Sequence, residues 1–81
     1  MIDTNIVLYQ TESCPYCGRV RRALNDLSLD YKVVNVPNDH SQRTKLAELF
    51  GATGVPSMAD GDVKIADDDD AIVAYLQKTY A

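Results

Sequence analysis

Two sulfur atoms carry the chemistry legible in this chain. Cys14 and Cys17 are its only cysteines, set two residues apart in Cys14-Pro15-Tyr16-Cys17. At that spacing two thiols can give up two electrons and two protons and close a mutual disulfide. Other uses of the pair fit less well. A structural zinc site wants four ligands, commonly Cys or His, and beyond the two thiols the chain offers a single histidine, His40. A purely structural disulfide over so short a loop would constrain little of the unfolded chain. The pair is therefore read as a catalytic dithiol, with no metal expected.

The surrounding residues favour an anionic sulfur at position 14. An apolar stretch, Ile6-Val7-Leu8-Tyr9, reads as a strand before the pair, and residues 18–27 read as a helix after it. The first turn of a helix leaves backbone N–H groups without partners, and the macrodipole adds positive partial charge there. Cys14 is placed to cap that turn, and thiols so placed titrate at roughly 3.5–7.5 instead of about 8.5. Pro15 suits the first helical position, where an N–H would be orphaned in any case. Cys17, one turn further in, is expected to be more buried and to stay protonated until needed.

The elements that must hold this junction can be read in order. Residues 6–10 are the first strand, and Thr11-Glu12-Ser13 is a loop that lifts Cys14 onto the helix. Val20, Leu24 and Leu27 recur at helical spacing and face the sheet. Arg21, Arg22 and Asp26 fall mostly outside that stripe and read as solvated, with a positive field that helps the thiolate slightly. Residues 31–36 form a second strand, ended by Pro37-Asn38. Strand, helix, strand at this length implies a parallel pair with a right-handed crossover. Asp39 or Ser41 can cap a second helix, which runs through Leu46, Leu49 and Phe50 to a stop at Gly51. His40 reads as a surface residue and not as a base. After Val55-Pro56, strands at residues 57–60 and 62–65 are joined by Asp60-Gly61-Asp62, a hairpin signal. Four aspartates at 67–70 open the last helix, one of them as its N-cap. Its apolar face uses Ile72, Val73, Leu76 and Tyr80. The order β-α-β-α-β-β-α predicts an α/β domain, a four-stranded mixed sheet flanked by three helices, with parallel central strands and an antiparallel hairpin.

Composition narrows the classes of function. At 81 residues, 46% of them hydrophobic, the chain is expected to form a single domain over 1–81 with its own core. The net charge of −4 argues against nucleic acid, whose phosphates need a basic stripe. No apolar run approaches the ~18 residues of a membrane span, and residues 1–5 do not read as a signal peptide. The expected compartment is the reducing cytoplasm, where two-cysteine motifs are usually catalytic. A monomer is the simplest expectation.

With these residues in view, the chain resembles a dithiol glutaredoxin, a thioredoxin-like fold whose Cys-x-x-Cys lies where a strand meets a helix. The resemblance runs from Ile6 to Tyr80, and its most specific part is Cys14-Pro15-Tyr16-Cys17. The second half, from Val55-Pro56 through the aspartates to Leu76, is also similar to the N-terminal domain of glutathione S-transferases. The resemblance implies that Cys14 is the nucleophile and Cys17 the resolving thiol. It implies a cis Pro56 next to the dithiol, with the Val55 backbone pairing, strand-like, with the cysteinyl part of a bound thiol peptide. Tyr16 would flank that pocket. Arg43 would meet the glycine carboxylate of glutathione, while Asp68 and Asp69 would bind the γ-glutamyl end, the Asp69 side chain meeting its ammonium.

Three departures qualify this. The family commonly has Lys where this chain has Thr11, Thr where it has Gly54, and Gly-Gly where it has Ala66-Asp67. The missing lysine removes a cationic contact to the glycine carboxylate and a charge stabilising the thiolate. Tight glutathione binding is weakened more than dithiol chemistry, and a shorter γ-glutamyl thiol becomes a reasonable co-substrate. The implied activity is thiol-disulfide exchange on protein disulfides or glutathionylated proteins, with glutathione or another γ-glutamyl thiol as co-substrate and no tightly bound cofactor. The alternatives are a redoxin reduced by a thioredoxin reductase, a [2Fe–2S] cluster carrier, which Pro15 disfavours by analogy, and a glutathione transferase fragment.

Overall fold

The computed structural model describes residues 1–81. Strand β1 (Ile2–Gln10) leads into helix α1 (Pro15–Asp26), followed by strand β2 (Leu29–Asn35), a 3-10 turn at His40–Gln42 and helix α2 (Thr44–Phe50). Strands β3 (Ser57–Asp60) and β4 (Val63–Ile65) form the hairpin, and helix α3 (Asp69–Tyr80) closes the chain. The sheet order is β2-β1-β3-β4. β1 runs parallel to β2 and antiparallel to β3, which runs antiparallel to β4. The two central strands are therefore antiparallel and not parallel as expected, because β3 of the hairpin pairs with the free edge of β1 and leaves β2 at the sheet edge. The fold is thioredoxin-like, as the element order predicts.

Alternation along β1 divides the molecule into layers. Ile6 and Leu8 join Val20, Leu24, Leu29, Met58, Ile72 and Leu76 in one buried cluster under α1 and α3. Side chains of one strand point alternately to opposite faces, so Tyr9 turns the other way. It meets Phe50 of α2 edge-on, with ring centroids 5.3 Å apart. At the end remote from the cysteines, the phenols of Tyr75 and Tyr80 both donate to Asp60 Oδ2, at 2.8 and 2.6 Å. The Asp60 hydrogen bond, reinforced by burial and by the nearby charge, pushes the Tyr80 phenol up to about 12. These bonds fasten α3 to β3.

Three element boundaries differ from the sequence expectation, each for a local reason. β1 begins at Ile2 because Ile2 and Asp3 pair with Leu29 and Asp30 beyond a register slip between Asp3 and Val7. There the Thr4 hydroxyl donates to Asp30 O at 2.6 Å and accepts the Ile6 N–H at 3.2 Å. No apolar alternation marks that irregular start. β2 begins two residues before Tyr31, with Leu29 paired to Ile2. The second helix starts late, since Asp39 Oδ1 takes the N–H and hydroxyl of Ser41 and holds a separate 3-10 turn ahead of Arg43. Gly51 stops α2 in the left-handed region, φ 69°, as its position suggests.

Leu24 of α1 is fully buried in the core cluster. Leu24→Ala should lower stability by about 2–5 kcal/mol, read as a drop in urea midpoint at unchanged slope. A loss below about 1 kcal/mol would show that α1 is not seated on this core.

Candidate active site

The strand-to-helix junction sets the two sulfurs. Cys14 has extended backbone and is the N-cap of α1, with Pro15 in the first turn. Its Sγ accepts the Cys17 N–H at 3.3 Å, and its carbonyl accepts the Gly18 N–H at 3.1 Å. A sulfur thus takes the place of the oxygen that usually caps a helix. Both thiols are free; Cys14 is partly exposed and Cys17 is fully buried. Burial pushes the Cys17 thiol up to about 11, opposed by a backbone hydrogen bond at Thr11 and reinforced by the neighbouring Cys14 sulfur. The Arg21 charge acts weakly in the lowering direction. The expected division holds in position: one sulfur reaches solvent and the other waits behind it.

A buried polar group supports this junction from below. Gln10 ends β1 on the core face with no exposure. Its Nε2 donates to Glu12 Oε1 at 2.8 Å and to Asn35 Oδ1 at 3.0 Å, while its Oε1 accepts from Arg21 Nη1. Buried amides need such partners. Arg21, read as solvated from the helical stripe, is therefore half-buried and tied to the sheet. The missed signal was parity: Gln10 follows Ile6 and Leu8 at strand spacing and had to point inward.

The other expected residues gather at the same end of the sheet. Tyr9 pairs with Ser57, so the antiparallel register carries Pro56 and Val55 towards Gln10 and Thr11, just ahead of the cysteines. The Val55–Pro56 peptide is cis, as the resemblance implies. Tyr16 is largely exposed on the first turn of α1. Asp68 is the N-cap of α3, accepting the Ala71 N–H at 3.0 Å. Asp69 is paired to Arg19 Nη1 at 2.8 Å, and Asp70 to the same nitrogen at 2.6 Å. The carboxylates of Asp68, Asp69 and Asp70 lie within 4.8 Å of one another, and each already serves the protein itself.

Arg43 lies among the loops around α2. It is 5% exposed. Its Nε donates to Pro37 O at 2.7 Å, and its terminal nitrogens to Thr53 O at 2.9 Å and Asn38 O at 3.4 Å. The guanidinium also meets His40 Nε2 at 3.2 Å, while His40 itself stays on the surface. Arg43 thus clamps the two loops around α2, with its donors turned onto carbonyls. The surface groove of about 300 Å³ lies elsewhere, between α1 and α3 along Arg22, Ala23, Leu27 and Val73. Its α1 lining runs from Arg19, just past Cys17, to Leu27, and neither cysteine lines it.

The pair Gly54 and Asp67 was not connected by sequence reasoning. A Cβ added at Gly54 would collide with the Asp67 carboxyl group. Two departures from the family pattern that lie far apart in the chain are thus one packing arrangement.

A sulfur-capped helix facing a cis-proline turn across a mixed sheet defines a thioredoxin-like domain, and comparison with known proteins narrows it. Residues 8–81 match the family model described as glutathione S-transferase, N-terminal domain. A glutaredoxin from Ricinus communis is 33% identical, over 95% of this chain and 79% of its own. A glutaredoxin from Pseudomonas aeruginosa is 31% identical, over 80% of this chain and 77% of its own. Among solved structures, a glutathione transferase homolog from Drosophila mojavensis with bound glutathione superposes with a TM-score of 0.86 at 29% identity, over 95% of this chain. Glutathione Transferase E6 from Drosophila melanogaster gives 0.80 at 33%, again over 95%. The chain spans 36% of the length of each of these two transferases. The chain belongs to the glutaredoxin family of the thioredoxin-like superfamily, and its fold is shared with the transferase N-terminal domain family.

The raised Cys17 pKa has a consequence for stability. A folded-state value of about 11 against an ordinary 9.0 means that the native protein holds this proton more tightly than the unfolded chain. The resulting stabilisation is complete below pH 9 and is lost as pH climbs through about 11. Urea titrations of wild type and Cys17→Ser across that window should show the wild-type value falling more steeply. Parallel curves would contradict the burial assigned to Cys17.

Proposed function

We propose that this chain is a dithiol oxidoreductase that reduces protein disulfides and mixed disulfides of a low-molecular-weight thiol. The observation that carries this reading is the reachable Cys14 sulfur at the N-cap of α1 with the buried Cys17 one turn behind it. The glutaredoxin relatives at 31 to 33% identity support it. The same proposal places the reaction in the reducing cytoplasm, with the chain acting as a monomer.

The exchange balances as follows. Cys14 thiolate attacks one sulfur of a disulfide RS–SR′, the S–S bond breaks, and R′S⁻ leaves and takes a proton. Cys14 is then joined to RS. Cys17 gives up its proton to water or to the departing thiolate and attacks Cys14 Sγ. RS⁻ is released, leaving a Cys14–Cys17 disulfide. The substrate has gained two electrons and the protein has lost them; two molecules of a small thiol return them. Only the sulfur at the helix start is reachable by a substrate, which favours it for attack and the buried one for resolution.

The small thiol is glutathione or a shorter γ-glutamyl thiol. A glutathione-bound structural neighbour supports the first. Thr11 in place of a cation, and an Arg43 already bonded to three carbonyls, favour a thiol that needs no partner for a glycine carboxylate. The Val55 backbone beside cis Pro56 is the surface offered to its cysteinyl part.

Cys14→Ser should abolish every exchange activity. Cys17→Ser should retain reduction of a glutathionylated protein supplied with a small thiol and lose dithiol reduction of protein disulfides. Trapping Cys17→Ser with cell-extracted thiols and weighing the adduct gives the identity of the small thiol. Loss of both activities in Cys17→Ser would overturn the assignment of roles.

A further inference from the structure

We propose that Arg43 is a positioning residue of the thiol site: by gripping Thr53 it holds the Val55 main chain in place for the backbone of a peptidyl thiol. This deepens the dithiol reading and rests on it. The segment that carries Val55 lies between the end of α2 and the start of β3. No main-chain hydrogen bond outside the helices and strands involves residues 52–56. The place of this segment is therefore set by side chains, and the Val55 N–H and C=O stay available to a peptide.

Three side chains hold it. Arg43, 5% exposed, donates from Nη1 to Thr53 O at 2.9 Å. The same nitrogen meets His40 Nε2 at 3.2 Å. A guanidinium has donors only, so His40 Nε2 accepts, and Nδ1 carries the proton that is donated to Thr53 Oγ1 at 3.3 Å. Thr53 is thus held by its carbonyl and by its hydroxyl. Just beyond it, Ser57 Oγ donates to Gly54 O at 3.0 Å. On its other side Arg43 is anchored to Pro37 O at 2.7 Å and to Asn38 O at 3.4 Å. The loop after β2 and the loop before β3 are tied together through one planar fork, which an ammonium cannot reproduce. A small displacement of a binding surface slows a reaction even where the fold survives. Arg43 in this role acts on the thiol through Val55, and not as the partner of a glycine carboxylate.

The test measures the second-order rate constant for oxidation of the reduced protein to its Cys14–Cys17 disulfide, with release of two thiols, by three small disulfides. Those of glutathione and γ-glutamylcysteine carry a peptide group to lay along Val55, and the second lacks the glycine carboxylate. Cystamine has neither group. Arg43→Lys keeps the charge and loses the fork. It should slow both peptidyl disulfides about fivefold relative to cystamine, the worth of roughly one hydrogen bond. His40→Ala frees the Thr53 hydroxyl with the guanidinium still present, and should lower both ratios by about threefold; it decides the matter should Arg43→Lys fail to fold. Lys45→Gln, on the exposed side of α2, should leave both ratios at the wild-type value. Equal slowing of all three disulfides means a structural role alone, and slowing of glutathione disulfide alone means a glycine-carboxylate partner. Either result, unchanged ratios, or an equal shift in Lys45→Gln overturns the inference while leaving the dithiol reading intact. No oxidation of wild type by any of the three disulfides overturns the dithiol reading and takes the inference with it.

Discussion

The molecule depends on one hydrogen bond made by a sulfur: Cys17 N–H to Cys14 Sγ at 3.3 Å. A helix cannot begin without something to receive its first N–H groups, and here the receiver is the atom proposed to do the chemistry. The capping role and the reactive role therefore share one geometry. Whatever seats α1 on the sheet also aims Cys14, and whatever buries the first turn holds Cys17 in reserve. Pro15 contributes by preparing the turn without adding a further unsatisfied donor. Gln10 contributes from the strand side, holding Arg21 against the underside of the same helix.

The charges around this junction are divided unequally. Arg19 gathers two aspartates from α3, Arg21 is held by Gln10, and Arg43 is turned onto backbone carbonyls. Each of these cations has a protein partner before any ligand arrives. Exposed ion pairs contribute little stability on average, so the Arg19 pairs matter more for fixing the start of α3 beside α1 than for holding the fold. Arg43 is the opposite case. Its carbonyl partners belong to loops that have no strand to satisfy them, and burying such groups unpaired is costly. Its structural task follows from the loops it joins.

The layers were legible from Ile6, Leu8, Val20, Leu24, Ile72 and Leu76, because their spacing states which face is buried, whereas the strand order was not, because it depends on which edges pair. The dithiol was legible because its spacing has few other uses. What escaped were contacts between segments. Ser41 accounts for the late start of α2 only through Asp39, which captures its N–H and its hydroxyl. Arg21 looks solvated on a helical wheel until the inward parity of Gln10 is added. Gly54 and Asp67 lie thirteen residues apart, and each alone reads as a departure from a pattern. Only the folded backbone shows that one residue lacks a side chain where the other has placed its carboxyl group. Propensity and periodicity describe neighbours along the chain, and these contacts lie between neighbours in space.

The likeness to both glutaredoxins and transferase domains lies in the thioredoxin-like fold that they share. A mixed sheet, a cis-proline turn and a helix start that faces it make up the junction around Cys14, and a fold by itself does not name a reaction. The matched transferases carry this unit as 36% of a longer chain, so most of their length has no counterpart in these 81 residues. Two-electron exchange makes a smaller demand. It needs one accessible sulfur, a second one close behind, and a surface that presents a disulfide to the first. All three lie within the segment from Cys14 to Asp69, and the second sulfur is buried where a substrate must first have been captured before it is reached. The dithiol cycle proposed above cannot close without that second sulfur.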